Sequence, residues 1–312
     1  ETEIEVHPVL KKKKIAVVGS GPAGLAFSTA AASRGHQVTL FEADSEIGGQ
    51  FNLARLIPGK QEFAETLRYY NSQIKIHKVD LILNTMVSEK DLMNNDFDEI
   101  ILATGISPRT LSIPGIKHTK VIGYIEALKH PQKIGKSVAI IGAGGIGFDV
   151  AEYLTGIKTP AKSEIKSFME VWGIDTSLKS RGGITGIRSE FVASPHEVYM
   201  LQRQAGKLGK KLAKTTGWIR RTTLRKKRVQ MISGVTYNQI DDQGLHITLK
   251  SRSQILNVET IIVCAGQISQ NLLYQKLKGS CNNLHLIGGA KLADKLDSYQ
   301  AIREGYLLGI RI

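Results

Sequence analysis

A chain of 312 residues with 42% hydrophobic content is long enough to fold as two domains with packed cores. Its net charge of +14 is concentrated, since Arg203 to Arg228 carries 11 Lys/Arg and no Asp/Glu; that run reads as a solvated face or as a site for cofactor phosphates, with nucleic acid disfavoured because a basic patch alone is sequence-blind. No apolar run of about 18 residues occurs, which excludes a membrane-spanning helix, and two cysteines, Cys264 and Cys281, exclude a disulfide framework and point to a reducing compartment such as the cytoplasm.

Residues 1–13 form a charged, extended lead-in without an apolar signal core, and the start reads as the continuation of a longer chain. Lys14–Val18 is a short apolar run of the kind that makes a buried parallel strand. Gly19, Gly21 and Gly24 follow as G-x-G-x-x-G, and the next stretch predicts a helix to Arg34 that Gly35 ends. Val38–Phe41 predicts the second strand, and Glu42 lies 18 residues past Gly24. In that context the first glycine makes the tight turn, the second admits a pyrophosphate to the backbone, and the third lets helix and strand pack closely. The phosphates would sit at the positive end of the helix and Glu42 would accept ribose hydroxyls, so the unit predicts a dinucleotide site.

Gly48 and Gly49 precede Gln50; the pair reads either as a close pass of a flat cofactor or as an ordinary loop. Phe63, Leu67, Tyr70 and Ile74 fall at helical spacing and predict a buried face. Val79–Leu83 and Glu99–Leu102 predict strands, the latter ending in Ala103-Thr104-Gly105. A strand with that ending resembles the crossing point between the domains of two-dinucleotide flavoproteins, and Pro108, Pro114 and Gly115 mark a connection.

A second fingerprint follows: the strand at Ser137–Ile141, then Gly142-x-Gly144-x-x-Gly147 and a helix through Leu154. Residues 156–195 form a Gly-, Ser- and Lys-rich insertion that delays the next strand, Glu197–Leu201. At the end of that strand stands Gln202-Arg203 in place of an acid. A carboxylate there would bind a free 2′-hydroxyl; an arginine pairs with a 2′-phosphate, which argues for NADP, with Lys207 assisting. Val229–Gly234, Thr236–Ile240 and Leu245–Leu249 alternate as a small antiparallel sheet. Thr260–Val263 predicts a further strand, and Cys264-Ala265-Gly266 echoes Ala103-Thr104-Gly105; Cys264 itself reads as a small buried residue, without a base or a partner thiol. Leu284–Ile287, Gly288-Gly289-Ala290 and a helix from about Asp297 close the chain. Two-dinucleotide flavoproteins often carry Gly-Asp where this chain has Gly288-Gly289, so an aspartate contact to the flavin's ribityl chain is missing and backbone must serve.

The stretches GHQVTLFEADSEIGGQFN, IPGKQEFAETLRYY, VAIIGAGGIGFD, MLQRQAGKLGKKLAKTTGWIRRTTL and VCAGQ resemble the C-terminal half of bacterial NADPH-dependent 2,4-dienoyl-CoA reductases, a family that extends to trimethylamine dehydrogenase and other iron–sulfur flavoproteins of old-yellow-enzyme type. The resemblance covers essentially the whole chain. It implies an α/β fold of two Rossmann-like domains, with the NADP domain (117–281) inserted into a discontinuous FAD domain (14–116 and 282–312). It implies hydride transfer from NADPH to FAD, then single electrons through a 4Fe-4S cluster to FMN in an N-terminal TIM barrel, where a 2,4-dienoyl-CoA is reduced in fatty-acid β-oxidation. The barrel, the FMN site and the cluster would precede Glu1, so this chain would carry only the FAD and NADP sites. Carried over by position, the FAD residues are Gly19, Gly21, Ala23, Gly24, Glu42, Gln50, Arg55, Lys60, Val87, Ala103, Thr104, Gly105, Gly289, Asp297, Ala301 and Ile302. The NADP residues are Gly142, Gly144, Gly145, Gly147, Gln202, Arg203 and Lys207. Hydride transfer between cofactors needs no acid–base side chain, so no catalytic residue and no metal ligand are assigned.

Overall fold

The computed structural model describes residues 4–156, 165–177, 179, 193–281, 283–294 and 297–312. Most of the insertion expected at 156–195 therefore lies outside the described residues. The chain opens with β1 (Lys14–Val18), α1 (Pro22–Ser33), β2 (Gln37–Phe41), α2 (Gln50–Ala54), α3 (Phe63–Ile76), β3 (Asp80–Ile82), α4 (Glu89–Met93), β4 (Glu99–Leu102) and β5 (Ile106–Pro108). It continues through β6 (Val121–Gly123), α5 (Tyr124–Lys129), β7 (Ser137–Ile141), α6 (Gly145–Leu154), α7 (Ile165–Trp172), β8 (Glu197–Gln202) and α8 (Gly217–Lys226). Then come β9 (Gln230–Ser233), β10 (Val235–Asp241), β11 (Gly244–Leu249), β12 (Arg252–Leu256) and β13 (Thr260–Val263). The return consists of β14 (Gln267–Ser269), α9 (Leu272–Leu277), β15 (Leu284–Leu286) and α10 (Ser298–Gly309).

These elements form two compact units: Glu1–Arg55, Lys60–Arg109 and Gln267–Ile312 in the first, Leu56–Gly59 and Thr110–Gly266 in the second. The chain passes between these units at 109/110 and 266/267, earlier than the boundaries expected after 116 and after 281, the second directly after Cys264-Ala265-Gly266. The reason is a two-stranded ribbon. β14 pairs antiparallel with β5, Gln267 opposite Pro108, and so draws both stretches into the first unit.

Each unit is built on a five-stranded parallel sheet, ordered β15-β4-β1-β2-β3 in the first and β6-β13-β7-β8-β9 in the second. Four of the five positions correspond, β4-β1-β2-β3 with β13-β7-β8-β9; the outermost strand comes last in the first sheet (β15) and first in the second (β6). In both, the fingerprint strand is central, the chain moves outward on one side, then crosses to the other. The strand order therefore reverses beside β1 and beside β7, and such reversals open a crevice at the carboxyl ends of the strands.

In the first unit, alternate residues of β1 feed two cores. Ile15 and Val17 join Leu25, Phe27, Leu40 and Ile101 on one face, while Ala16 and Val18 join Val87, Leu92, Ile100 and Leu102 on the other. α3 contributes Leu67, Tyr70 and Ile74, as its spacing predicts. α10 lies against α1 on small residues: Ala301, Gly305 and Gly309 are its buried positions, and a Cβ on Gly305 would stand 2.1 Å from the Ala23 carbonyl oxygen.

One expected sheet is corrected. Gln230–Ser233 is not part of an antiparallel sheet; as β9 it runs parallel beside β8, from Tyr199 opposite Gln230 to Gln202 opposite Ser233. The antiparallel sheet is β10-β11-β12, whose third strand, Arg252–Leu256, has no clear alternation in sequence. It buries Val235, Ile240, Leu245 and Ile247 against Ala139, Ile141 and Leu201. Period-two alternation reports a strand, not the direction of its neighbour. Among the described residues, no helix is long and apolar enough to cross a membrane.

Candidate dinucleotide sites

The two fingerprints fold into the same wiring. In the first unit the Gly19 amide donates to the Phe41 carbonyl (2.8 Å) and the Ala103 amide to the Val18 carbonyl (2.9 Å). In the second, the Gly142 amide donates to the Leu201 carbonyl (2.9 Å) and the Cys264 amide to the Ile141 carbonyl (2.8 Å). Ala103-Thr104-Gly105 and Cys264-Ala265-Gly266 thus occupy equivalent places, each at the carboxyl end of the strand across the order reversal.

Sterics divide the glycines by role. A Cβ on Gly19 would lie 2.5 Å from the Ala103 carbonyl oxygen, and one on Gly24 only 1.9 Å from the Gly19 oxygen. Gly142 and Gly147 repeat this at 2.7 Å from the Cys264 oxygen and 1.9 Å from the Gly142 oxygen. Those four glycines are needed by the protein's own packing. At Gly21, Gly144 and Gly145 a Cβ would meet nothing within 4 Å. The fold gives no reason for glycine there, whereas a phosphate group approaching the backbone does. Gly21 and Gly144 are the N-cap residues of α1 and α6. The first turn of each helix has free amides, and the macrodipole favours an anion there. Both places fit the pyrophosphate of a dinucleotide.

Glu42 is buried at 9% exposure and oriented by three donors. Its Oε2 accepts from the Ser20 amide (2.8 Å) and the Ser20 hydroxyl (2.5 Å), its Oε1 from the Asp44 amide (3.0 Å). A carboxylate held this way stays where β2 ends and keeps lone pairs for a ribose hydroxyl. Ser20, fully buried between the first two glycines, orients Glu42, and motif reading passed over it because it fills a variable slot. Ala23, on α1, is buried against α10 and can offer a ligand only its backbone. Gly49 sits beside Gly21, its would-be Cβ 3.3 Å from the Gly21 Cα, so the paired glycines do bring the chain to the fingerprint, with Gln50 at the start of α2.

Other carried-over residues stand in varied surroundings. Gly105 and Gly289 are neighbours, since a Cβ on Gly289 would lie 3.2 Å from the Gly105 carbonyl carbon. The Thr104 hydroxyl donates to the Gln270 carbonyl (2.5 Å), so this side chain ties down the crossing. Val87 is buried in the core with Ala16 and Val18. Arg55 spends its guanidinium on Glu46, at 3.0 Å to each carboxylate oxygen, and Lys60 is half-buried before α3. Asp297 is the N-cap of α10 and accepts from the Gln300 amide (2.8 Å). Ala301 and Ile302 pack into the core with α1, so their side chains serve helix packing.

At the end of β8 the Gln202 side chain turns onto its own loop, donating to the Gln204 carbonyl (2.9 Å) and the Gly206 carbonyl (3.4 Å). The loop it closes carries Arg203, and Lys207 follows directly after it; both are exposed. Tyr237 lies within electrostatic reach of Arg203; burial drives its phenol well above the ordinary value despite that cation. The basic run is not one uniform patch. Arg220 reaches α6, binding Glu152 through Nε and Nη2 and Asp149 through Nη2, each at 2.6 Å, and lies over the Phe148 ring at 5.6 Å. Burial alone would lower Arg220; Glu152 and Asp149 outweigh it and raise it. Lys227 is buried and lowered by desolvation, and Lys226 lies over the Trp172 ring at 5.3 Å. Cys264 is buried and its thiol is pushed far above the ordinary value, by desolvation and then by Asp149, so it is no thiolate nucleophile.

Comparison with known proteins places these observations. The metal reductase of Desulforamulus reducens is 28% identical over 98% of this chain and 45% of its own length. The cinnamate reductase of Clostridium sporogenes is 27% identical over 93% of the chain and 38% of its own length. A solved 2-naphthoyl-CoA reductase in complex with 2-naphthoyl-CoA superposes with a TM-score of 0.81 at 26% identity, over 99% of this chain and 41% of that one. The chain thus spans less than half the length of each of these relatives. The family model described as pyridine nucleotide-disulphide oxidoreductase matches residues 13–288. With that match over both glycine fingerprints, the chain belongs to the pyridine nucleotide-disulphide oxidoreductase family, a flavoprotein family whose fold carries FAD and NAD(P).

Proposed function

We propose that this chain is an electron-input module: the first unit holds FAD, the second holds NADPH, and reducing equivalents pass onward to a further redox domain. The carrying observation is the duplicated cradle, in which Gly21 and Gly144 face open space while their flanking glycines are packed against backbone. FAD, when bound, accepts a hydride from NADPH and can release electrons one at a time. This chain's residues bind and orient. The amides opening α1 and the Glu42 carboxylate, preset by Ser20 and Asp44, receive the FAD pyrophosphate and ribose. The amides opening α6 receive the second pyrophosphate, and Arg203, on a loop that Gln202 closes, takes the 2′-phosphate with Lys207. The strand ends in Gln202-Arg203, where a carboxylate would bind a free 2′-hydroxyl and repel the phosphate.

The proposed downstream path is a 4Fe-4S cluster and an FMN-bearing TIM barrel, with a conjugated acyl-CoA such as a 2,4-dienoyl-CoA as acceptor. Two relatives are named for conjugated substrates, cinnamate and 2-naphthoyl-CoA, and the relatives' greater length leaves room for such a domain. A disulfide acceptor is disfavoured, because Cys264 and Cys281 are both free and belong to different units. The test is anaerobic reduction of the FAD-loaded chain. NADPH is expected to bleach the visible flavin absorbance faster than NADH, and Arg203→Glu to erase that preference. A chain that takes up no FAD, or that shows no preference before or after the change, contradicts the reading.

A further inference from the structure

The turn Gly288–Ala290 follows β15 at the same end of the first sheet as Gly19 and Ala103, and its three residues are buried. It is gripped from three sides. Gly288 has φ +61°, and a Cβ on it would lie 2.7 Å from the Ala23 Cβ. Gly289 abuts Ile106 and Gly105, at 2.8 Å and 3.2 Å from a would-be Cβ. The third grip is Glu304 on α10. Its Oε2 accepts from the Gly288 amide (2.9 Å) and its Oε1 from Lys291 Nζ (2.5 Å). Glu304 precedes Gly305, whose contact with the Ala23 carbonyl seats α10 on α1, so the same close approach delivers the carboxylate to the turn.

Two successive glycines specify little about their own conformation. Here the charged group that accepts from the turn's backbone is Glu304, 16 residues later in the chain, with Lys291 balancing its charge so that no net anion faces a pyrophosphate-bearing ligand. We propose that Glu304 is a positioning residue for the flavin: it fixes the peptide plane of Gly288, and through it the place of Gly289 backbone at the carboxyl end of the sheet. The inference rests on the assignment of FAD to the first unit.

The test uses the 312-residue chain freed of flavin, titrated with FAD by fluorescence quenching, with the visible spectrum of the bound flavin and the melting of the flavin-free protein as companion readouts. Glu304→Ala is expected to weaken FAD roughly 10- to 100-fold, the effect of losing a charge-assisted hydrogen bond, and to shift the bound spectrum. Glu304→Gln, whose carbonyl still accepts from Gly288, is expected to restore most of the affinity. If Glu304→Ala fails to fold, Glu304→Asp replaces it, since its shorter carboxylate keeps the charge but misses the amide. Unchanged affinity and spectrum in the alanine or aspartate variant, or an equal loss in the glutamine variant, overturns the inference while leaving the FAD assignment intact. A wild-type chain that binds no FAD overturns the assignment, and the inference with it.

Discussion

Replacing Gly21 and Gly24 separately by alanine distinguishes a glycine kept for a ligand from one kept for the fold. At Gly24 the new methyl would stand 1.9 Å from the Gly19 carbonyl oxygen, a contact real Cβ atoms essentially never make. Overpacking of this kind costs about 3 kcal/mol, and the better helix propensity of alanine returns about 1, leaving about 2 kcal/mol of destabilisation. For a unit of this size that is a fall of roughly 4–8 °C in the melting temperature. At Gly21 the backbone is extended, with φ −70° and ψ −178°, and the methyl meets no protein atom. Alanine there gains up to about 1 kcal/mol by restricting the unfolded chain and loses a similar amount as a poorer N-cap, so the net effect is within about 1 kcal/mol. Its methyl would nevertheless fill the space a pyrophosphate enters, so FAD affinity is expected to fall at least tenfold, or ~1.4 kcal/mol. The assays are thermal melting of the flavin-free chain and FAD titration of both variants. If Gly21→Ala melts as low as Gly24→Ala, or binds FAD like the wild type, the cradle reasoning is refuted.

Gly144→Ala is the counterpart in the second unit, where NADPH binding is expected to weaken at least tenfold (~1.4 kcal/mol) with melting unchanged and FAD affinity untouched; loss of FAD instead would exchange the two assignments. Arg203→Glu is expected to raise the KM for NADPH by roughly 10- to 100-fold and leave NADH little changed, and equal effects on both would remove Arg203 from the 2′-phosphate. Arg220→Met strands Asp149 and Glu152, whose side chains are 19% and 12% exposed. With that residual solvent the loss is about 2–3 kcal/mol in urea unfolding, below the range for fully buried pairs, and a value under ~0.5 would show the network to be idle. His36 is buried, accepts from the Lys13 amide through Nδ1, and is lowered from 6.5 by desolvation, then by Arg34 and Lys13. The unfolded chain therefore binds the proton first: stability is fully present above pH 6.5 and declines as pH falls from there through the lower folded value. His36→Asn, which keeps an acceptor for Lys13, should flatten that part of the pH–stability profile; an unchanged slope would assign it to other groups.

Much of the scaffold was legible because its signals are local. Strand, glycine turn, helix and strand recur in the order that Lys14–Glu42 and Ser137–Arg203 spell out, and steric demands at Gly19, Gly24, Gly142 and Gly147 are properties of any tight turn into a helix. The face of α3 and the small-residue crossing at Ala103-Thr104-Gly105 were readable for the same reason. What escaped depends on partners distant in the chain. The alternation in Val229–Gly234 showed a strand but not that it would lie parallel to β8. Arg55 and Asp297 were expected at FAD from resemblance alone; that Arg55 pairs with Glu46 and that Asp297 caps α10 was visible only in the structure.

The sequence by itself determined that the chain holds two Rossmann-like units, which glycines open each, and that an acid ends the second strand of the first and an arginine follows the corresponding strand of the second. These follow from backbone sterics and hydrogen-bonding capacity at each glycine turn and at the end of the strand that follows it. Only the tertiary structure decided which glycines face open space, that Ser20 presets Glu42, that Gln202 closes its own loop, and that Glu304 defines the Gly288 turn. Each of those is a question of what occupies the space beside a residue, and, apart from the local turn of Gln202, that is settled by packing between segments apart in the chain, which spacing along the sequence does not encode.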